Sequence, residues 1–264
     1  MISSLQNLFR HRQLIAALTA RDLKARYRGS VLGYFWSLAN PLLLLFVYTL
    51  VFTKFFPRPD EQAFALFLFA GILPWTFFSG AILEATDSIF ANAGLIKKVM
   101  FPAESLPVVV VLSHLTHFLL AIPVLLAAAL VYAVQGKVNL TIDIAFAPLL
   151  MLLQTIFIAG VAMIVSSASV LFRDLKDLVA NLLHLGFFLT PVIYQLDKVP
   201  SGWLRWLLKL NPMTPFMLGY QAIFFHGRAP RPLDLALMAL YAGVSLALGL
   251  TVFDRLRDTL AEAI

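Results

Sequence analysis

Six long apolar runs, separated by short stretches that hold most of the charges, glycines and prolines, make up most of this chain. Runs with so few charges predict helices that cross a bilayer. About 20 apolar residues cover the hydrocarbon core, and a helix satisfies its own backbone groups where no water can. The runs lie at about Gly33–Phe55, Ala63–Ile82, Leu106–Val134, Ile144–Leu171, Leu178–Tyr194 and Leu233–Phe253. Pro41 should kink the first; Pro74-Trp75 lies inside the second and Pro123 inside the third. In the sixth, Ala239, Gly243 and Ala247 form a small-xxx-small ladder suited to close helix contact.

The segments between the runs are more informative. Residues 3–28 read as one amphipathic helix: Leu5, Leu8, Phe9, Ile15, Leu18, Leu23 and Tyr27 share half of a helical wheel, and Arg10, Arg21, Lys24 and Arg28 cluster on the other half. Arg12, Asp22 and Arg26 break the pattern slightly. Such a basic helix either lies in the membrane interface or is an ordinary solvated helix. Glu84–Ser105 is more polar, holds Lys97, Lys98 and Glu104, and has room for a short helix and a turn at Phe101-Pro102. Glu84 and Asp87, three apart, can share a helix face in a structural or a gating role.

The fourth and fifth runs are joined by Phe172-Arg173-Asp174-Leu175-Lys176-Asp177-Leu178. A turn this short passes a push from outside the membrane to both helices at once, unless it is only a solvated loop with paired charges. Arg173 and Asp177 are four apart and can pair on a helical turn. The connection from Gln195 to Pro232 holds Trp203, Leu204, Trp206, Leu207, Leu208 and Leu210, then Asn211-Pro212-Met213-Thr214-Pro215-Phe216. Short pieces with tryptophans belong at the interface level, or they re-enter among the spans.

Composition agrees: 61% of the 264 residues are hydrophobic and 13% charged, more apolar surface than a soluble domain can hide. The expected fold class is an all-α polytopic membrane protein with six transmembrane helices. Its parts are an interfacial helix at 1–32, a transmembrane domain at 33–254 and a tail at 255–264. An even number of spans puts both termini on one side. The N-terminal segment holds six Lys/Arg against one acidic residue, which makes that side cytoplasmic. Lys198, Arg205, Lys209, Arg228 and Arg231 then fall on the outer side, against the usual bias. The net charge of +6 fits an anionic leaflet. Nucleic acid is a poor partner, because the basic residues flank apolar spans. The arginines and lysine at 10, 12, 21 and 24 leave no signal-peptide core.

Candidate chemistry is sparse. With no cysteine, disulfides and thiolate metal sites are excluded. The sequence contains no phosphate loop, H-E-x-x-H or G-x-S-x-G motif and no paired carboxylates within one span, so no catalytic or metal site is expected. His114 and His117 mark either a proton path or hydrogen bonds to a neighbouring helix. A membrane glycosyl- or acyltransferase would have only these and His184 to work with.

Five stretches carry a family resemblance: ARDLKARYRGSVLGYFWSLANPLLLLFVY at 20–48, GILPWTFFS at 71–79, LFRDLKDL at 171–178, TPVIY at 190–194 and NPMTPF at 211–216. In this order they resemble the ABC-2-type permeases that export O-antigen, teichoic acid and capsule, and the first stretch is nearer to the O-antigen and teichoic-acid permeases. The resemblance implies the membrane subunit of a lipid-linked polysaccharide exporter in the cytoplasmic (inner) membrane, as in lipopolysaccharide biosynthesis. It implies a homodimer with two separate ABC ATPase subunits, which bind ATP and Mg, and no cofactor in this chain. It implies that segments 84–104 and 172–178 contact the ATPases, making Lys97, Lys98, Arg173, Asp174 and Asp177 the coupling candidates. It also implies short helices beyond the fifth span that act as an outer gate, with Trp203 and Trp206 on them. An exporter of a small molecule or drug would share the architecture.

For a bulky hydrated glycan, aromatic faces stack on sugar rings and leave hydroxyls to water. Spans one and five are therefore expected to line a channel at the dimer interface, with Tyr34, Trp36, Tyr48, Phe187 and Tyr194 as contacts. Tyrosine is favoured because its hydroxyl needs a partner or water in the membrane. Arg26 and Arg28, at the level of the membrane lipids' headgroups, are the candidates for a lipid pyrophosphate.

Overall fold

The computed structural model describes residues 2–28, 35–55, 63–98, 102–172, 174–200 and 202–263, and among these there is no strand. Two helices come first, α1 (Ile2–Arg10) and α2 (Arg12–Tyr27), where one was expected. They meet at His11, whose Nδ1 lies 2.8 Å from the Asn7 carbonyl. The break turns the apolar face. Ile15 and Leu18 of α2 are buried with Val109, and Leu8 reaches the cluster around Phe253. Phe9, placed with them by the wheel, is 70% exposed.

The centre of the bundle is α4 (Phe64–Ala91). It is apolar around most of its circumference, the pattern of a helix enclosed on all sides. On one flank lie α3 (Trp36–Leu50), which runs on into a π-helical turn at Val51–Phe55, and α6 (Ser105–Val134). On the other lie α7 (Ala147–Leu171), entered through a 3-10 turn at Ile142–Phe146, and α8 (Leu175–Phe188). A short α5 (Ala93–Lys98) follows α4. Phe77 stacks on Phe118 of α6, and Phe78 on Phe157 of α7, so aromatic rings fill both flanks at mid-depth.

The last helix, α11 (Pro232–Ala263), packs along α7 and is continuous through the stretch expected as a tail. Its contact face is not the ladder read from the sequence. Ala239, Gly243 and Ala247 are exposed, and a Cβ on Gly243 would meet nothing within 4 Å. The backbones instead touch at Gly160, Ser245 and Gly249, and the Ser245 hydroxyl donates to the Phe157 carbonyl at 3.2 Å. The sixth run carries two rows of small residues on different faces, and spacing alone does not choose between them.

Among the described residues, five helical segments are long and apolar enough to cross a membrane: Leu38–Phe55, Phe64–Ala91, Ser105–Val134, Ile142–Leu171 and Pro232–Leu256. The remaining run, expected at Leu178–Tyr194, is built differently. α8 has 14 residues, a length of about 21 Å at 1.5 Å per residue, short of the ~30 Å core. The chain then turns through residues 189–194 and forms α9 (Trp203–Leu210) and α10 (Thr214–Phe224). α10 is buried apart from the half-buried Leu218, from Phe216 against Phe157 at mid-depth to Tyr220 against Phe118, and Phe225 just beyond it touches Phe67. It thus fills the half of the bundle remote from the termini that α8 leaves open.

Turns at this depth need internal partners, since an unpaired buried polar group is costly. Asn211 Nδ2 donates to the Leu189 carbonyl (3.0 Å) and Thr190 Oγ1 (2.8 Å), and its Oδ1 accepts from the Met213 amide. Gln221 Nε2 donates to the Pro191 carbonyl at 2.8 Å. Gln154 of α7 does the same for the Pro74 carbonyl inside α4, also at 2.8 Å.

Candidate functional site

α1, α2, α5, the α7–α8 turn and the far end of α11 gather at one end of the bundle, hereafter the terminal end. Three helices are knotted together there by charge. Arg26 of α2 donates through Nε to Asp22 Oδ2 at 3.0 Å and through Nη2 to Glu84 Oε1 of α4. The other Glu84 oxygen lies 2.8 Å from His114 Nε2 of α6. Burial alone would lower the Arg26 pKa, but the two carboxylates outweigh it and hold the guanidinium charge more firmly than usual. His114 therefore bonds a neighbouring helix, one of its two sequence readings, and its ring lies 6.4 Å from that of His117. A cavity of about 400 Å³ adjoins this knot, lined by Arg26, Asn40, Thr76, His114 and His117 among others. Arg28, by contrast, is exposed, in extended backbone at the end of α2.

The α7–α8 turn is short and projecting. Phe172 is extended and exposed, Asp174 takes the N-cap position of α8 without a side-chain capping bond, and Asp177 lies exposed in the first turn. Carboxylates at this position are favoured by the helix dipole and leave their oxygens to the surroundings. Arg173 lies outside the described residues, and so does its expected pairing with Asp177. Lys176 of this turn bonds Asp87 of α4. Glu84 and Asp87 thus serve different neighbours: one ties α4 to α2 and α6, the other ties it to α8. Lys97 and Lys98 are in α5 at the same end, and their side chains lie outside the described residues. α1 is docked here by Asn7, which donates to the buried Glu104 at 3.1 Å.

The expected aromatic contacts fall on two flanks of α4. Trp36 begins α3 and is exposed; Tyr48 is half-buried beside Asn40, Pro41, Leu73 and Thr76. Phe187 sits edge-on to Trp75 of α4 with centroids 5.8 Å apart. Tyr194 follows α8, and its hydroxyl donates to the Phe188 carbonyl at 3.0 Å. Tyr34 lies outside the described residues. Within one chain, then, Tyr48 and Phe187 are not brought onto one surface. Each group borders an exposed apolar face, Leu42, Leu43, Phe46 and Val47 on α3 and Leu178, Leu182, Leu185 and Phe188 on α8. At the end remote from the termini, Trp203 and Trp206 of α9 are 78% and 69% exposed, with Leu208 on the buried side.

Sequence reasoning missed Gln154, Gln221 and Asn211, which hold the broken segments together. Their signal was present: an uncharged polar residue in or beside an apolar run must find a partner.

The family described as ABC-2 type transporter matches residues 13–225. The O-antigen export system permease protein RfbA of Myxococcus xanthus is 38% identical over 265 residues, which cover 100% of both chains. RfbA of Klebsiella pneumoniae is 32% identical over 249 residues, 94% of each chain. The polysialic acid transport protein KpsM of Escherichia coli is 22% identical over 244 residues, 90% of this chain and 92% of that one. A bundle of long apolar helices and a family match over most of its length lead to one assignment: this chain is an integral membrane protein that belongs to the ABC-2 type transporter family.

Proposed function

We propose that this chain is the membrane subunit of an ATP-driven exporter that moves a lipid-linked polysaccharide of the O-antigen class across the cytoplasmic membrane. The observation that carries this is the end-to-end similarity to an O-antigen export permease, 38% over both whole chains. Two copies form the transporter, and two separate ATPase subunits attach at the terminal end, which faces the cytoplasm. The six Lys/Arg of the N-terminal segment support that orientation.

The exposed carboxylates Asp174 and Asp177 suit a coupling surface. The turn that carries them is continuous with α7 and α8, and Lys176–Asp87 ties it to α4, so displacement of the turn moves three helices together. Lys97, Lys98 and Arg173, whose side chains lie outside the described residues, take part in the same coupling role. Arg28 meets the pyrophosphate of the lipid-linked glycan, while Arg26, occupied by two carboxylates, fixes the end of α2 that presents it. The channel forms between the two copies. Tyr48 with Trp36 from one and Phe187 with Tyr194 from the other supply the aromatic path, since α3 and α8 lie on separate flanks of α4 in each chain. Tyr34 extends the first group, and Trp203 and Trp206 stand at the outer gate.

Export of lipid-linked glycan is measured in cells carrying Asp174→Asn/Asp177→Asn, with membrane insertion and ATPase co-purification followed in parallel. Normal insertion with lost export, or lost ATPase stimulation, is expected. Full export by this variant removes the coupling role, and failure of any ATPase subunit to co-purify with the parental chain removes the exporter reading itself.

A further inference from the structure

Beyond the terminal end and the aromatic faces, one partly open recess has no part in the function above. Between the re-entrant segment and the start of α11 lies a cavity of about 180 Å³, at the end remote from the termini. Its charged walls are Arg205, Lys209, Arg228 and Arg231 against Asp197 and Asp234, four cations to two carboxylates.

The surplus is not spent on internal pairs. Arg205 is committed to structure: its Nε donates to the Val199 carbonyl at 2.9 Å and its Nη2 to that of Asp197 at 2.9 Å. Arg231 faces Asp197 at 3.9 Å. Lys209 and Arg228 line the cavity with no side-chain hydrogen bond or ion pair among the described residues. His226 also lines it, and burial, followed by the charge of Arg228, pushes its pKa down, so it stays a neutral donor and acceptor. The first turn of α11, a 32-residue helix, borders the cavity through Leu233 and Asp234 and adds the positive end of its dipole. In the orientation proposed above, these basic residues lie on the outer side, against the usual bias of membrane proteins. Solvation alone would not require them to converge on one recess.

We propose that this cavity is a binding site for a phosphate-class anion, a phosphate ester or pyrophosphate, with Lys209 and Arg228 as its principal ligands and Arg205 and Arg231 shaping its wall. The volume suits a headgroup-sized anion. Lysine and arginine together suit it: the guanidinium grips two oxygens in a fork, and the ammonium adds a point charge. Such an anion is either the headgroup of a membrane lipid or a free phosphate.

The test uses the full chain in phosphatidylcholine nanodiscs, with inorganic pyrophosphate titrated by calorimetry. Every protein in the series carries Arg28→Gln, which removes the pyrophosphate contact proposed for Arg28, and saturable binding of one anion per chain is then expected. Lys209→Gln/Arg228→Gln should weaken it about tenfold or more, the loss of charge-assisted hydrogen bonds. Arg10→Gln/Arg12→Gln, at the terminal end, should leave it unchanged. Lys209→Gln alone, at an exposed position without internal bonds, repeats the measurement where folding is not in question and should weaken binding several-fold. Adding phosphatidic acid to the nanodisc assigns the source: competition with pyrophosphate identifies a membrane-borne headgroup, and its absence identifies a free anion. Lack of saturable binding, or equal weakening in the Arg10/Arg12 variant, overturns the site. These outcomes are read without transport, so they stand apart from the success or failure of the export reading.

Discussion

The α7–α11 contact makes a prediction in which two effects of known size oppose each other. At Gly160 a Cβ would overlap the Ser245 carbonyl and the Leu246 amide, and at Gly249 it would overlap the Gly160 carbonyl oxygen. Ordinary contact begins at 3.4 Å, so either substitution forces the helices apart, because backbone on both sides cannot give way as a side chain would. Overpacking of this kind costs about 1–3 kcal/mol. Against it, replacing glycine by alanine within a helix favours the helix by about 1 kcal/mol. At Gly243, on the exposed face of the same helix, the second effect acts alone. Gly243→Ala should therefore raise or preserve the melting temperature of the purified chain in detergent, and Gly160→Ala should lower it, with Gly160→Val lower still. Thermal unfolding followed by size-exclusion chromatography reads all three. Equal melting temperatures for Gly160→Ala and Gly243→Ala would refute the packing argument.

Other parts of the structure make separate predictions. Gln154→Leu removes the donor to the buried Pro74 carbonyl and should cost about 1–3 kcal/mol, seen as a lower melting temperature. Glu84→Ala frees Arg26 and His114 together. The Glu84 side chain is 38% exposed, so the loss is near the upper end for a surface pair, about 1 kcal/mol. It should appear as faster tryptic cleavage at Arg21 and Lys24 of α2, and an unchanged cleavage rate would contradict the knot. Trp203→Ala and Trp206→Ala remove exposed rings, so stability should hold while glycan export slows. Loss of folding in either would show that the rings are internal supports.

Much of the architecture was legible because a bilayer imposes one requirement on every span. The runs at 106–134 and 144–171 appear as helices Ser105–Val134 and Ala147–Leu171 with boundaries nearly as read. The fifth run misled, because a length of apolar chain does not reveal where a helix stops. Pro191 cannot continue α8, and the residues around it are held by Asn211 and Gln221, which lie 20 and 30 positions further on. Likewise, Ala239-Gly243-Ala247 and Ala242-Ser245-Gly249 look alike in sequence, and only the position of α7 distinguishes them. The pairing of the charges at the terminal end was not legible: Lys176 reaches Asp87 across 89 positions and Arg26 reaches Glu84 across 58. Local spacing pointed instead to Arg173 and Asp177.

The export reading is tested most directly by reconstitution. The chain is purified with any ATPase subunit that co-purifies with it, incorporated into proteoliposomes, and supplied with lipid-linked glycan extracted from the same cells. Glycan that becomes sensitive to a glycosidase on the far side of the membrane is then measured with and without ATP. The account predicts ATP-dependent appearance of glycan on that side, abolished when this chain is omitted or carries Asp174→Asn/Asp177→Asn. Glycan crossing at the same rate without ATP, or no crossing while ATP is hydrolysed and a small amphiphile is moved instead, would contradict it.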